Sequence, residues 1–204
     1  MKVFGRERAF TAVVVFTCSI LFPTAGLAHL VTTGMGPVYD GTVHLLLTPE
    51  DLVPVLAIAV YSGLQGREYG RYILFVLPLA WFLGGMVGFF SGQLPALPYA
   101  SLSFLLFGLL IAINARIPVL VFLSLAAAVG TMHGFFNGQA LKTGPGVVGM
   151  IGIMVTVFVL VAIISALVSV SSRYWVKMIL RVMGSWIAAS GLLMTGWFIR
   201  GYIT

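Results

Sequence analysis

Histidines and acidic residues are scarce in this chain, three and five respectively, and most of them gather at two places. His29, Asp40, His44, Glu50 and Asp51 fall near the start. His133 sits in the later string Met132-His133-Gly134-Phe135-Phe136-Asn137-Gly138-Gln139. Imidazole and carboxylate donors together suit borderline divalent ions such as nickel, cobalt, zinc or copper(II) better than magnesium. A helical stretch over 39–47 would put Asp40 and His44 at i and i+4 on one face, a spacing that serves two ligands of one cation. His133 and Asn137 have the same spacing, between glycines that let a ligand or a partner helix come close. Plainer roles compete: a water-facing Asp40, or a His133 that is only a hydrogen-bonded residue near a helix end. Thr48-Pro49-Glu50-Asp51 is also a good helix start, with Thr48 as N-cap, Pro49 in the first turn and two acids facing the positive end of the helix dipole. Capping and ligation both remain open for Glu50 and Asp51.

The elements that must position these residues are membrane helices. The 204 residues are 60% hydrophobic and 8% charged, with a mean hydropathy of +1.11, whereas a soluble domain carries roughly 25% charged residues. Residues 1–28 have the parts of a cleavable secretory signal: Lys2, Arg6 and Arg8, an apolar run over 9–22, Pro23, and small residues at Gly26 and Ala28. Cleavage would make His29 the new amino terminus. It would also remove Cys18, the only cysteine, leaving no thiolate ligand and no disulfide. The remainder, 29–204, reads as a single all-α polytopic bundle with about six transmembrane helices, over 49–64, 72–90, 99–114, 118–136, 147–170 and 175–199.

The net charge of +6 would suggest nucleic acid in a soluble protein. Here the basic residues instead report topology. Arg67, Arg71, Arg116, Arg173, Lys177 and Arg181 fall on one side of the predicted membrane, and Lys142 and Arg200 on the other. The positive-inside rule then puts the first group in the cytoplasm of a bacterial inner membrane and the mature amino terminus in the periplasm. This assignment used no histidine or acid, yet it gathers His29, Asp40, His44, Glu50, Asp51 and His133 at the periplasmic face. Polar groups in a membrane are costly, so such a gathering points to a site. Glycine stripes at Gly84-Gly88-Gly92 and Gly130-Gly134-Gly138 predict close helix packing, with a homo-oligomer surface as the alternative use. Trp81, Trp175, Trp186 and Trp197 read as interfacial anchors and packing rather than as a cofactor box.

These residues also carry a resemblance. A His at the mature terminus, the segment Gly41-Thr42-Val43-His44-Leu45-Leu46, the His-Gly segment at His133 and six short spans resemble the HupE/UreJ family. The resemblance implies a membrane protein of hydrogenase or urease systems that acts as a nickel or cobalt permease. Glu50-Asp51 falls where many members have Asp-His, and Asn137 and Gln139 fall where they have His and Glu. The chain therefore resembles a divergent member with His44 and His133 retained as its shared ligands. A non-transporting accessory protein that holds metal or docks metalloenzyme maturation proteins is the alternative. Gly88-Phe89-Phe90-Ser91-Gly92 with His133 invites comparison with rhomboid-type intramembrane proteases, but their Gly-x-Ser-Gly spacing is missed by one residue. The chain reads as a non-enzyme with a divalent metal as cargo or ligand, no organic cofactor, and the bilayer rather than nucleic acid as its surroundings.

The orientation has a direct test. Cysteines introduced at Gln65 and Ser172 should be shielded from an impermeant thiol reagent in intact cells, and one at Thr143 should be labelled. The reverse pattern would invert the topology.

Overall fold

The structure is a computed structural model that describes residues 33–92, 97–171 and 173–203. The predicted signal segment, its cleavage site and His29 lie outside the described residues. All the regular elements among the described residues are helical: α1 (Pro37–Leu47), α2 (Pro49–Gln65), α3 (Arg67–Phe90), α4 (Tyr99–Ala112), α5 (Val119–Ala140), a 3-10 turn (Leu141–Thr143), α6 (Gly146–Val170) and α7 (Tyr174–Ile203).

Each of the six expected spans is a helix, but they differ in reach. Four segments are individually long and apolar enough to cross a membrane: Arg67–Phe90, Val119–Thr143, Gly146–Val170 and Tyr174–Gly201. α2 meets that test only together with α1, from which it is bent by 78°. The bend falls at Thr48, whose successor Pro49 disfavours helical backbone in the residue before it. Thr48 is extended there, and its hydroxyl donates to His44 O at 2.7 Å instead of capping α2. α4 has only 14 residues, about 21 Å of helix against a hydrocarbon core of about 30 Å.

Two layers of contact hold the bundle. In the first, α3 and α5 pack face to face and α6 covers α3, while α1 and α2 lie on α6. The glycine stripes explain the intimacy of the α3–α5 pair. A Cβ at Gly84 or Gly88 would collide with the backbone of Thr131 or Phe135, and one at Gly134 or Gly138 with that of Trp81 or Gly85. Gly92 meets nothing, so the α3 stripe ends one turn before its pattern does. In the second layer α7 leans on α4, with Gly108, Gly184 and Gly191 at the crossing, and scarcely touches α2. The core consists of fully buried Tyr61, Trp81, Phe107, Phe122, Ile153 and Val157 with their neighbours. Trp175, Trp186 and Trp197, by contrast, are exposed on α7.

Alternation of direction carries the ends of α2, α4 and α6 and the starts of α3, α5 and α7 to one end of the bundle. Arg67, Arg71, Arg116, Arg173, Lys177 and Arg181 all belong to this end. The turn after α4 is pinned there by Tyr61 and Gln65, which donate to Ala115 O at 3.0 and 2.8 Å, and by Tyr69, which donates to Ile117 O at 2.7 Å. Asn114 takes a left-handed φ of 51° in that turn, a conformation asparagine tolerates.

Gly88 and Gly92 make a matched test of the helix contact. Gly88→Ala should destabilise the detergent-purified protein by on the order of 1–3 kcal/mol, since a methyl group must push backbone from backbone. Gly92→Ala should leave thermal stability unchanged, as read by the temperature at which monodisperse protein is lost.

Candidate functional site

α2 begins at the end opposite the arginines, and its first turn decides between the two acids there. Glu50 faces outward and is exposed, whereas Asp51, one helical step further, is 2% exposed and points into the bundle. The glycine contacts set α5 so that His133 and Asn137, one turn apart, face the same interior point. His133 Nδ1 lies 2.8 Å from Asp51 Oδ1, and Asn137 Nδ2 donates to Asp51 Oδ2 at 2.8 Å. The carboxylate thus accepts at both oxygens, which offsets the loss of water around a buried charge.

Asn137 also donates to His133 O at 3.0 Å. Both neighbours of its nitrogen are acceptors, so the amide can stand only one way round. Its carbonyl Oδ1 is then left buried with no hydrogen-bond partner, as is Trp81 Nε1. On the far side of the imidazole, Nε2 lies 3.1 Å from Ser103 Oγ on α4, and that hydroxyl also lies 2.8 Å from Ala100 O. The single proton of Ser103 serves Ala100 O or Nε2, not both.

Aromatic rings close the space around His133, which is fully buried. Trp81 of α3 lies at 5.2 Å between ring centroids, tilted by 32°. Tyr99 of α4 meets the imidazole edge-on at 4.8 Å and stacks on Phe136 at 4.3 Å. Beyond Tyr99 a recess of about 440 Å³ opens at the bundle end, with Glu50, Pro98, Tyr99 and Phe136 in its wall. Tyr99 is therefore the partition between the recess and the imidazole.

The other sequence candidates have separate surroundings. Asp40 Oδ1 accepts from Thr33 N–H and Oγ–H at 2.6 and 2.7 Å. His44 is half-buried on α1, a helix that packs against the first half of α6 through Gly41, Thr42 and Gly152. Among the described residues no three His, Cys, Asp or Glu side chains are grouped closely enough to hold a metal ion. The group that does form is Asp51, His133, Asn137 and Ser103. Ser103 and the ring contacts of Trp81 and Tyr99 were not singled out from sequence. Ser91, the serine compared with protease motifs, instead accepts from Gln139 at 3.4 Å at the end of α3. Gln139 also donates to Gly92 O, and Lys142 to Ser91 O, so these residues fasten the α5 end to the α3 end.

Compared with known proteins, the sequence profile described as HupE / UreJ protein matches residues 16–194. No curated protein and no solved structure is significantly similar to the chain.

The partition can be tested chemically. Diethyl pyrocarbonate should leave His133 unmodified in the folded wild-type protein and should carbethoxylate it in Tyr99→Ala, as read on the His133 peptide by mass spectrometry. Equal protection in the variant would mean that Tyr99 does not separate His133 from the recess.

Proposed function

The chain belongs to the HupE/UreJ family, and from that premise we propose that this membrane protein binds a divalent transition-metal ion at Asp51, His133 and Asn137 and passes it across the bacterial inner membrane. The observation that carries the reading is the buried carbonyl of Asn137, an acceptor without a donor beside a carboxylate and an imidazole. A cation, like a hydrogen-bond donor, is a group that such an oxygen lacks. Asp51 Oδ1 and His133 Nδ1 stand 2.8 Å apart, and two ligands about 2.0–2.2 Å from one ion lie at comparable separations when their bond angle is small. Their chemistry suits nickel, cobalt, zinc or copper(II). Glu50 at the recess would attract the ion and Tyr99 would yield to admit it, while His44 on α1, which the family resemblance pairs with His133, is not grouped with Asp51 and His133 here.

Binding at Nδ1 requires that the proton between His133 and Asp51 leave, so ion uptake releases a proton and weakens in acid. Two strong donors and neutral oxygens hold an ion loosely, which suits passage better than storage. A six-span bundle with its amino terminus in the periplasm would open the recess to the periplasm. Under the accessory reading the same site retains metal without moving it.

A second reading rests on the order of contacts Ser103, His133, Asp51, which is that of a serine hydrolase. It meets an obstacle in access: Ser103 is 2% exposed, and a nucleophile must reach its substrate. A fluorophosphonate probe should leave Ser103 unlabelled in the wild-type protein. Labelling that disappeared in His133→Ala would favour the hydrolase.

For the metal site, nickel, cobalt, zinc and copper binding to purified protein should fall at least ~10-fold in Asp51→Asn and in His133→Ala, and by less in Glu50→Gln. His44→Ala combined with His133→Ala should add little to either alone if one ion is shared. Uptake into proteoliposomes separates transport from retention. Undiminished binding in Asp51→Asn and His133→Ala would dismiss the site.

A further inference from the structure

At the arginine-rich end the bundle holds cations without acids to match them. Two adjoining cavities of about 350 and 420 Å³ share Leu64, Asn114 and Lys177; Arg181 lines the first and Arg116 the second. No ion pair joins Arg116, Lys177 or Arg181 to a carboxylate among the described residues. Glu68, on the first turn of α3, is exposed and lines neither cavity. Arg181 is held in place by its Nε–H, which donates to Ala112 O at 3.0 Å, leaving the other guanidinium donors for a ligand.

Next along the chain to Ala112 and Arg181 of the first cavity, Ile111 and Leu180 line an apolar groove of about 210 Å³ in the seam between α2 and α7. Val53, Leu56 and Val60 form one wall, and Leu180, Met183 and Ile187 the other. The groove exists because α7 rests on α4 and hardly meets α2. Over 53–60 it offers about 10 Å of uninterrupted hydrocarbon surface. Cations that serve only as topology signals need no cavity and no apolar channel leading from it. Polar head and apolar tail in series are the shape of an amphiphile, and basic recesses between membrane helices are suited to anionic lipid headgroups.

We infer that this seam binds one anionic glycerophospholipid, its phosphate among Arg116, Lys177 and Arg181 and an acyl chain along the α2–α7 groove. The site is separate from the metal reading and does not rest on it. The lipid fills the seam that α7 leaves open and so fastens that helix to the bundle on its second side.

The test is native mass spectrometry of the full chain titrated with phosphatidylglycerol and phosphatidylcholine in nonionic detergent. One phosphatidylglycerol should be retained in preference to phosphatidylcholine. Arg116→Gln, Lys177→Gln and Arg181→Gln should each weaken retention about fivefold, with Lys177→Arg restoring it. Arg173→Gln, a cation of the same end outside both cavities, should change nothing. Met183→Trp, which fills the groove, should weaken the lipid and spare glycerol 3-phosphate. Monodisperse elution of each variant checks folding. The inference is overturned if phosphatidylcholine binds equally, if Arg173→Gln costs as much as Lys177→Gln, or if glycerol 3-phosphate binds as tightly as the lipid.

Discussion

A carboxylate inside an apolar helix bundle persists only where donors meet it, and Asp51 is such a group. Its two oxygens are answered by His133 and Asn137, so the start of α2 is tied to the last third of α5. α5 presents His133 and Asn137 inward while their chain neighbours Gly134 and Gly138 settle the adjoining face against the backbone of α3. Ser103 then brings α4 to the far side of the imidazole, and α7 follows α4. Loss of the buried pair would leave a charge unpartnered and free the first turn of α2 from the fold, a more serious matter than the loss of one contact.

Under the metal reading the same satisfaction has a chemical consequence. The side chains that could bind an ion bind one another in its absence, apart from the Asn137 carbonyl. An arriving ion must displace two hydrogen bonds to Asp51, and a departing one finds them ready to reform. Asp51 and Asn137 complete a hydrogen-bonded network with His133, and Gln139 is turned away to hold the end of α3.

Much of this was legible in the chain and some was not, for physical reasons. The paired glycine stripes announced close packing because a four-residue period puts every member on one helix face. They did not announce which helices would meet, or that Gly92 would be idle. Thr48-Pro49-Glu50-Asp51 marked the start of α2, and the order of two adjacent acids could not show that Asp51 turns inward and Glu50 outward; that depends on the phase of α2 against α5. Ser103 was hidden because a lone hydroxyl is tolerated in apolar helices by bonding back to its own chain, as it does here to Ala100. Trp81 was read as packing, which it is, but its place beside His133 depends on the α3–α5 contact. His44 and His133 were paired by the resemblance; the hydrogen-bonded group that gathers around His133 is drawn from α2, α4 and α5.

The shortness of α4 reaches beyond packing. With 14 residues between the recess at Tyr99 and the cavities at Asn114, the helix marks a waist between two hollows. Water standing in both would leave an insulating layer of about 21 Å where the surrounding bilayer offers about 30 Å. The electric field of an energised membrane concentrates where its insulator is thinnest, so the potential would drop along α4 more steeply than across the lipid beside it. Asp51 and His133 would then stand near one end of that drop, and a charge moving from them toward the arginine-rich end would cross most of the voltage.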